Sequence, residues 1–204
     1  IEASQREGFK AVGITSSVPV SVRDTVNKII RLLDILKEKL PHGTPIGVEP
    51  CIDDPKDILR FKQAGVTEIK LNVQAASDGI FKMVCPGQSY SRVFEMIEEA
   101  EKHLPVCSNI ILGLGESDDE VISTIERLAK LNCVATLRAV RIDDLNRGPL
   151  SKVLGFEVKA VGPDRLVNLA RAQKEVFERY GLDPTRFSTM CHRCQCCDIV
   201  PFKD

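Results

Sequence analysis

Short apolar runs alternate with longer amphipathic stretches along most of this chain. The short runs are typical of strands buried in a sheet, and the longer ones, apolar at every third or fourth position, are typical of helices. Strands and helices that alternate with short connections predict parallel strands joined by right-handed crossovers. The predicted strands are Ala11–Thr15, Pro45–Glu49, Glu68–Val73, Asn109–Leu112 and Ala135–Arg141.

The predicted helices begin at recognisable signals. Ser117 followed by Glu120 is a full capping box, and Ser21 followed by Asp24 is a weaker form of it. A long helix is predicted from about Asp164 to Tyr180. The helix after Ser21 has its apolar residues on one stripe, formed by Val22, Val26, Ile29, Leu33, Leu36 and Leu40.

This pattern predicts an α/β domain. The parallel strands are compatible with an open doubly wound sheet or with an arc of a parallel barrel. The sequence contains no internal repeat, low-complexity segment or linker. Residues 1–150 are therefore predicted to form the body of the domain, and residues 151–204 a C-terminal helix and a cysteine-rich tail packed on it.

Composition and charge exclude several classes of partner. The chain has 204 residues, 43% of them apolar, which is enough for a sizeable core. Its formal net charge of -1 comes from interspersed acids and bases, so we expect no nucleic-acid partner. No stretch approaches the roughly 20 apolar residues that span a bilayer, so we expect no membrane partner. The chain starts at Ile1 inside a helical pattern, and we expect that an N-terminal portion precedes it.

Half of the eight cysteines lie in a C-x-x-C-x-C-C run near the C-terminus. Converging thiolates bind iron or zinc, and C-x-x-C is the usual local way to bring them together. A domain of this size needs no disulfides, so the run predicts a reducing cytoplasm and an iron–sulfur cluster. A structural zinc clasp is the alternative, and a disulfide pair comes last. We expect three ligands from the tail, among Cys191, Cys194, Cys196 and Cys197, and a fourth ligand from elsewhere in the protein.

In parallel α/β folds, ligands bind beyond the carboxyl ends of the strands. Asn72 and Gln74 alternate on one predicted strand, so both side chains are expected to point to the same side. They suit the hydroxyls of a ribose or an amino-acid head group, or else they bind the backbone of nearby loops. Gly113 and Gly115 follow another strand, where glycines either let the backbone approach a ligand or form only a tight turn.

Two arginines near the last predicted strand are candidates for binding an anion. Arg138 and Arg141 suit a carboxylate or a phosphate of the substrate, because the guanidinium fork matches these groups. The alternative is that they pair with Asp143 and Asp144.

Several short motifs occur in the order and spacing of one enzyme group. The run Val106–Glu116 resembles the fifth-strand signature of the biotin synthase-like radical SAM enzymes. This group includes biotin and lipoyl synthases, hydrogenase maturases and methylornithine synthases. Glu49–Cys51 and Asn72–Gln74 resemble the ends of the third and fourth strands of biotin synthase. Gly148–Leu150 resembles the turn after its sixth strand, and Pro184–Ser188 resembles the segment that carries its cluster-capping arginine.

The resemblance implies a partial or full (βα) barrel that holds S-adenosylmethionine and a [4Fe–4S] cluster. One electron from the cluster cleaves the sulfonium, which gives a 5′-deoxyadenosyl radical that abstracts hydrogen from an unactivated carbon. By position, Asn72 and Gln74 would contact the ribose and Ile111 the adenine. Gly113, Gly115 and Glu116 would shape that pocket.

The resemblance also implies positions for a second cluster, with departures from the family pattern. Cys51, Cys107 and Arg186 fall where biotin synthase has ligands of its sulfur-donating cluster. The second-strand cysteine of that site is replaced by Thr15 or Ser16, and the C-x-x-x-C-x-x-C loop of the radical-generating cluster does not occur in this chain. The C-terminal cysteines are additional and resemble the auxiliary-cluster tails of other radical SAM proteins.

The implied function is a cytoplasmic radical SAM enzyme of cofactor biosynthesis, with sulfur insertion from an auxiliary cluster as the expected reaction. The substrate would be a small molecule or a protein-bound acyl group, and the electron donor a ferredoxin or flavodoxin. Hydrogenase-cofactor maturation and a carbon-skeleton reaction are alternatives within the class. Outside it, the alternatives are a non-catalytic metal-binding subunit and an ordinary metabolic barrel enzyme with a structural zinc.

Overall fold

The computed structural model describes residues 2–189 and 198–199. Within them, five parallel strands form one sheet in the order β1-β2-β3-β4-β5. A doubly wound sheet would reverse its order at a switch point, whereas a barrel adds each strand beside the previous one. The sequential order therefore confirms the barrel arc. The strands are β1 (Val12–Thr15), β2 (Ile46–Glu49), β3 (Glu68–Lys70), β4 (Val106–Leu112) and β5 (Val134–Ala139).

At least one helix follows each strand, and the helix starts at Ser21 and Ser117 have the predicted caps. The Ser117 hydroxyl accepts the Glu120 amide, and the Glu120 side chain accepts the Ser117 amide, so the capping box is complete. The Ser21 hydroxyl accepts the Asp24 amide at 3.1 Å. Residues 2–5 form only a short 3₁₀ turn, and Pro184–Arg186 forms another. The helices are α1 (Val22–Lys39), α2 (Lys56–Gln63), α3 (Asp78–Val84), α4 (Tyr90–Glu101), α5 (Asp118–Lys130), α6 (Arg147–Leu154) and α7 (Pro163–Tyr180).

Three strand boundaries differ from the prediction by more than one residue. The third strand is predicted to extend to Val73, but β3 ends at Lys70. By contrast, β4 begins before Asn109, at Val106, because Cys107 and Ser108 are buried although they interrupt the apolar run. The last strand ends at Ala139 instead of Arg141. Hydrogen-bond pairing with neighbouring strands decides where each strand ends, and the apolar pattern of a single segment carries no information on that pairing.

The core lies between the outer face of the sheet and the helices. Phe61, Ile97 and Leu128 are fully buried there on α2, α4 and α5. Buried polar side chains also occur along the sheet, including those of Glu68, Lys70, Asn109 and Thr136. No helix among residues 2–189 is long and apolar enough to cross a membrane.

Candidate functional site

Two cavities open at the carboxyl ends of the strands. The first cavity, of about 310 Å³, is bounded by the residues that end or follow β1, β2 and β3. The second cavity, of about 430 Å³, lies beyond β4 and β5 and is closed on one side by α6. Gln74 lines both. The first cavity includes Ser16, Glu49, Cys51 and Asn72, and the second includes Ile111, Leu114, Arg138, Val140, Arg141 and Leu150.

The carboxamide of Asn72 is held by two protein groups. Its Oδ1 accepts the backbone N–H of Asn109 at 3.0 Å, and its Nδ2 donates to the carboxylate of Glu49. The N–H donor fixes which end of the amide faces β4, so the NH₂ group points toward Glu49 in the first cavity. The side chain thus binds a backbone group while it lines the cavity, and contact with a ribose stays a prediction.

Gln74 reaches the site through an irregularity in the sheet. The Leu71 amide donates to the Cys107 carbonyl at 2.9 Å, but the next bond, to the Asn109 carbonyl, comes from Gln74 at 2.9 Å instead of Val73. The Val73 amide donates to the Ser108 hydroxyl at 3.0 Å. This one-residue bulge puts Gln74 at a left-handed φ of 59°. The predicted regular alternation of Asn72 and Gln74 is therefore wrong, although both side chains line the first cavity.

The second cavity has an apolar wall and two cationic side chains. Ile111, Leu114 and Leu150 supply apolar surface of the kind that packs on a flat aromatic ring. Arg138 and Arg141 also line it, and no acidic side chain is among its lining residues. The structure therefore brings the predicted adenine contact and the two predicted anion contacts together.

The turn Gly113–Glu116 is closed by its own carboxylate. Glu116 accepts the N–H of Gly113 at 2.7 Å and that of Leu114 at 2.8 Å, and Arg165 lies 3.0 Å from it. A Cβ on Gly113 would lie 2.8 Å from Val161. The glycines thus permit close protein packing, and the turn reaches the second cavity through Leu114.

Arg138 pairs with an acid that sequence reasoning did not propose. Its Nε lies 2.5 Å from Oδ1 of Asp198, far along the chain. Asp143 instead accepts the amides of Leu145 and Asn146 within its own turn, both at 3.0 Å. The signal that could have suggested a buried charge was Lys70, which stands between the apolar residues Ile69 and Leu71 and is 1% exposed.

The three possible second-cluster positions lie in different places. Cys51 lines the first cavity, whereas Cys107 is buried at the second position of β4, beside Lys70 in the sheet register. Arg186 binds Glu101 at 3.0 Å in a partly buried ion pair. Burial, and then the carboxylate of Asp53, raise the pKa of the Cys51 thiol. Their role as cluster ligands stays a prediction.

The predicted tail ligands Cys191, Cys194, Cys196 and Cys197 lie outside the described residues. Among residues 2–189 and 198–199, no group of three or more His, Cys, Asp or Glu side chains could hold a metal ion.

Residues 1–128 match the sequence model of the Radical SAM superfamily. The chain belongs to the radical SAM superfamily. A lipoyl synthase of Kocuria rhizophila is 33% identical over 136 residues, which cover 66% of this chain and 35% of that protein. A biotin synthase of Magnetococcus marinus is 27% identical over 113 residues, 53% of this chain and 33% of that protein. This radical SAM chain therefore spans about a third of the length of these relatives.

Solved structures agree on the fold. Methylornithine synthase superimposes with a TM-score of 0.67 and 17% sequence identity, over 85% of this chain and 50% of that one. At this identity the likeness concerns the fold alone, and it confirms the barrel arc of the radical SAM chain.

The cavity residues of this radical SAM chain fit S-adenosylmethionine, which the family implies. The molecule joins an aromatic adenine to a ribose and a charged amino-acid head group. The apolar wall of the second cavity suits the adenine, and the first cavity, lined by Asn72 and Gln74, suits the ribose and the head group. In addition, the hydroxyl of Ser16 in the first cavity is buried with no hydrogen-bond partner, which marks a polar position that a ligand can satisfy.

Proposed function

We propose that this chain is the body of a radical SAM enzyme of cofactor biosynthesis. The observation that carries the proposal is the pair of cavities that share Gln74 at the carboxyl ends of the strands, in a chain that belongs to the superfamily. The polar first cavity would hold the ribose and head group of S-adenosylmethionine, and the apolar second cavity would hold its adenine. When bound, that molecule supplies a carbon–sulfur bond whose one-electron cleavage gives a radical able to abstract hydrogen.

The residues around the cavities would bind and orient the ligand. Asn72 and Gln74 would hydrogen-bond the ribose hydroxyls, with Asn72 already fixed by Glu49. Ile111 and Leu114 would cover the adenine and exclude water from it. Arg138 would attract a carboxylate or a phosphate of the substrate, since guanidinium groups bind such anions with charge-assisted bonds.

The proposed reaction is sulfur insertion, with an auxiliary iron–sulfur cluster on the C-terminal cysteines as the sulfur source. Support comes from the similarity to proteins named lipoyl synthase and biotin synthase. The substrate would be a small molecule or a protein-bound acyl group, and a ferredoxin or flavodoxin would supply electrons in the cytoplasm. Zinc in the cysteine tail is the alternative.

Removing the Gln74 side chain should weaken binding of S-adenosylmethionine. Gln74→Gly keeps the left-handed φ and deletes the carboxamide, so we expect the Kd to rise about tenfold, the effect of one lost hydrogen bond. Equilibrium dialysis with the full-length protein, reconstituted anaerobically with iron and sulfide, measures it. Asn132→Gly is the matched control, because Asn132 also has a positive φ and lines neither cavity.

The same preparation tests the proposed function itself. With dithionite, it should convert S-adenosylmethionine to equal amounts of 5′-deoxyadenosine and methionine. Absence of both products, in protein that holds its iron, would contradict radical chemistry. An unchanged Kd for Gln74→Gly would contradict the assigned binding site, but it would not contradict the proposed radical reaction.

Alanine at two tail cysteines should lower the iron content. Cys194→Ala combined with Cys196→Ala removes two thiolate ligands, so the auxiliary cluster should be lost while any other cluster stays. Iron and acid-labile sulfide per chain measure the loss, and Cys133→Ala, at a fully buried thiol, is the control. Full iron content in the double variant, or purified protein that holds zinc without cluster absorption, would contradict the assignment.

A further inference from the structure

A buried carboxylate follows the cysteine run directly. Asp198 has a fully buried side chain, and its Oδ2 lies 3.0 Å from Nζ of Lys70, whose side chain is 2% exposed. Thr136 donates to the same oxygen at 3.3 Å, and Arg138 binds the other one. A buried carboxylate is stable only when paired and hydrogen-bonded in this way.

The next residue extends the sheet. Ile199 and Leu137 exchange backbone hydrogen bonds of 2.6 and 3.2 Å, in an antiparallel bridge. Because β5 is the last strand in the sheet order, the bridge covers its edge. The short segment at residues 198–199 therefore has one side-chain anchor and one backbone anchor.

The other side of the cysteine run is anchored as well. The carboxylate of Glu68 accepts the amides of Ser188 and Thr189, both at 2.8 Å, and the Thr189 hydroxyl. Glu68 and Lys70 lie two positions apart on β3, so their side chains share one face, roughly 7 Å apart along the strand. Neighbouring positions of one strand thus hold the residues on both sides of the run.

We propose that Asp198 is an ionic latch that fixes the chain directly after the cysteine run to the barrel, beside Arg138 of the second cavity. The latch is a positioning device. It holds the residue that follows the candidate cluster ligands against the wall of the candidate substrate site. It goes beyond the proposed function, because it depends neither on the metal nor on the reaction.

Hydrogen–deuterium exchange of the full-length protein, followed by mass spectrometry, tests the latch. In Asp198→Asn, the charge that pairs with Lys70 is lost, so peptides that cover Leu137 and Ile199 should exchange roughly tenfold faster. Peptides that cover β1 should keep their rate, since β2 separates that strand from the latch residue Lys70 on β3. Asp34→Asn, at an exposed position of α1, is the control.

The partners of Asp198 should differ in their effect. Lys70→Met removes the buried cation and should accelerate exchange at Leu137 more than Arg138→Leu does, because Arg138 is 39% exposed and screened by solvent. If Asp198→Asn does not fold, Lys70→Met combined with Asp198→Asn leaves neither charge buried alone and should accelerate the same peptides.

Two results would overturn the latch. One is unchanged exchange at Leu137 and Ile199 in these variants, and the other is equal acceleration over the whole chain, which signals global destabilisation. Failure of the proposed function is distinguishable, because a protein that cannot cleave S-adenosylmethionine would still give the local exchange pattern.

Discussion

Gly113→Ala should lower the free energy of unfolding by about 2–4 kcal/mol, the sum of backbone strain and overpacking. Gly113 has a φ of 96°, which L residues rarely adopt. An added Cβ would also lie 2.8 Å from Val161 and 2.9 Å from Val140, well inside van der Waals contact. Denaturant unfolding of wild-type and variant proteins measures the difference.

Gly65→Ala is the matched control for the backbone part. Gly65 has a φ of 95°, and an added Cβ would meet nothing within 4 Å. The variant should therefore lose only about 1 kcal/mol, the conformational cost alone. Equal losses at the two glycines would contradict the close packing of Gly113 against Val161.

Glu116→Ala should destabilise the protein by about 3 kcal/mol, because it leaves buried donors without their acceptor. The Glu116 side chain is 1% exposed and binds the amides of Gly113 and Leu114 together with Arg165. Glu116→Gln should recover only part of the loss, since its NH₂ group faces donors. Unfolding in denaturant provides the measurement.

A double-mutant cycle separates the ion pair from the backbone contacts of Glu116. Arg165→Ala alone should cost less than Glu116→Ala, because Arg165 is 29% exposed and also binds Asp118. The double variant should be less destabilised than the sum of the single ones. Strict additivity would contradict the coupling between the two side chains.

Much of the fold could be predicted from the sequence, because local signals and packing agree. The capping box at Ser117 is a local interaction, and it opens α5 as expected. The end of β3 could not be predicted in this way, since it depends on a hydroxyl 35 positions away that binds the Val73 amide. Pairing between distant segments decides such details.

The candidate site shows the same division. The rule that ligands bind beyond the carboxyl ends of strands led to Gln74 and Arg138, and the family resemblance led to Ile111. All three side chains line the cavities. The alternative in which Arg138 pairs with Asp143 is not what the structure has, because Asp143 accepts amides of its own turn. Asp198 lies 60 positions away, and only the tertiary fold brings it to Arg138.

The turn that Glu116 closes has a thermodynamic consequence for recognition. Its amides are satisfied by the protein itself, so the turn that places Leu114 in the wall needs no ligand to complete its hydrogen bonds. A ligand that binds loses its own conformational freedom but does not have to order this turn of the protein. More of the contact energy is therefore retained as binding affinity.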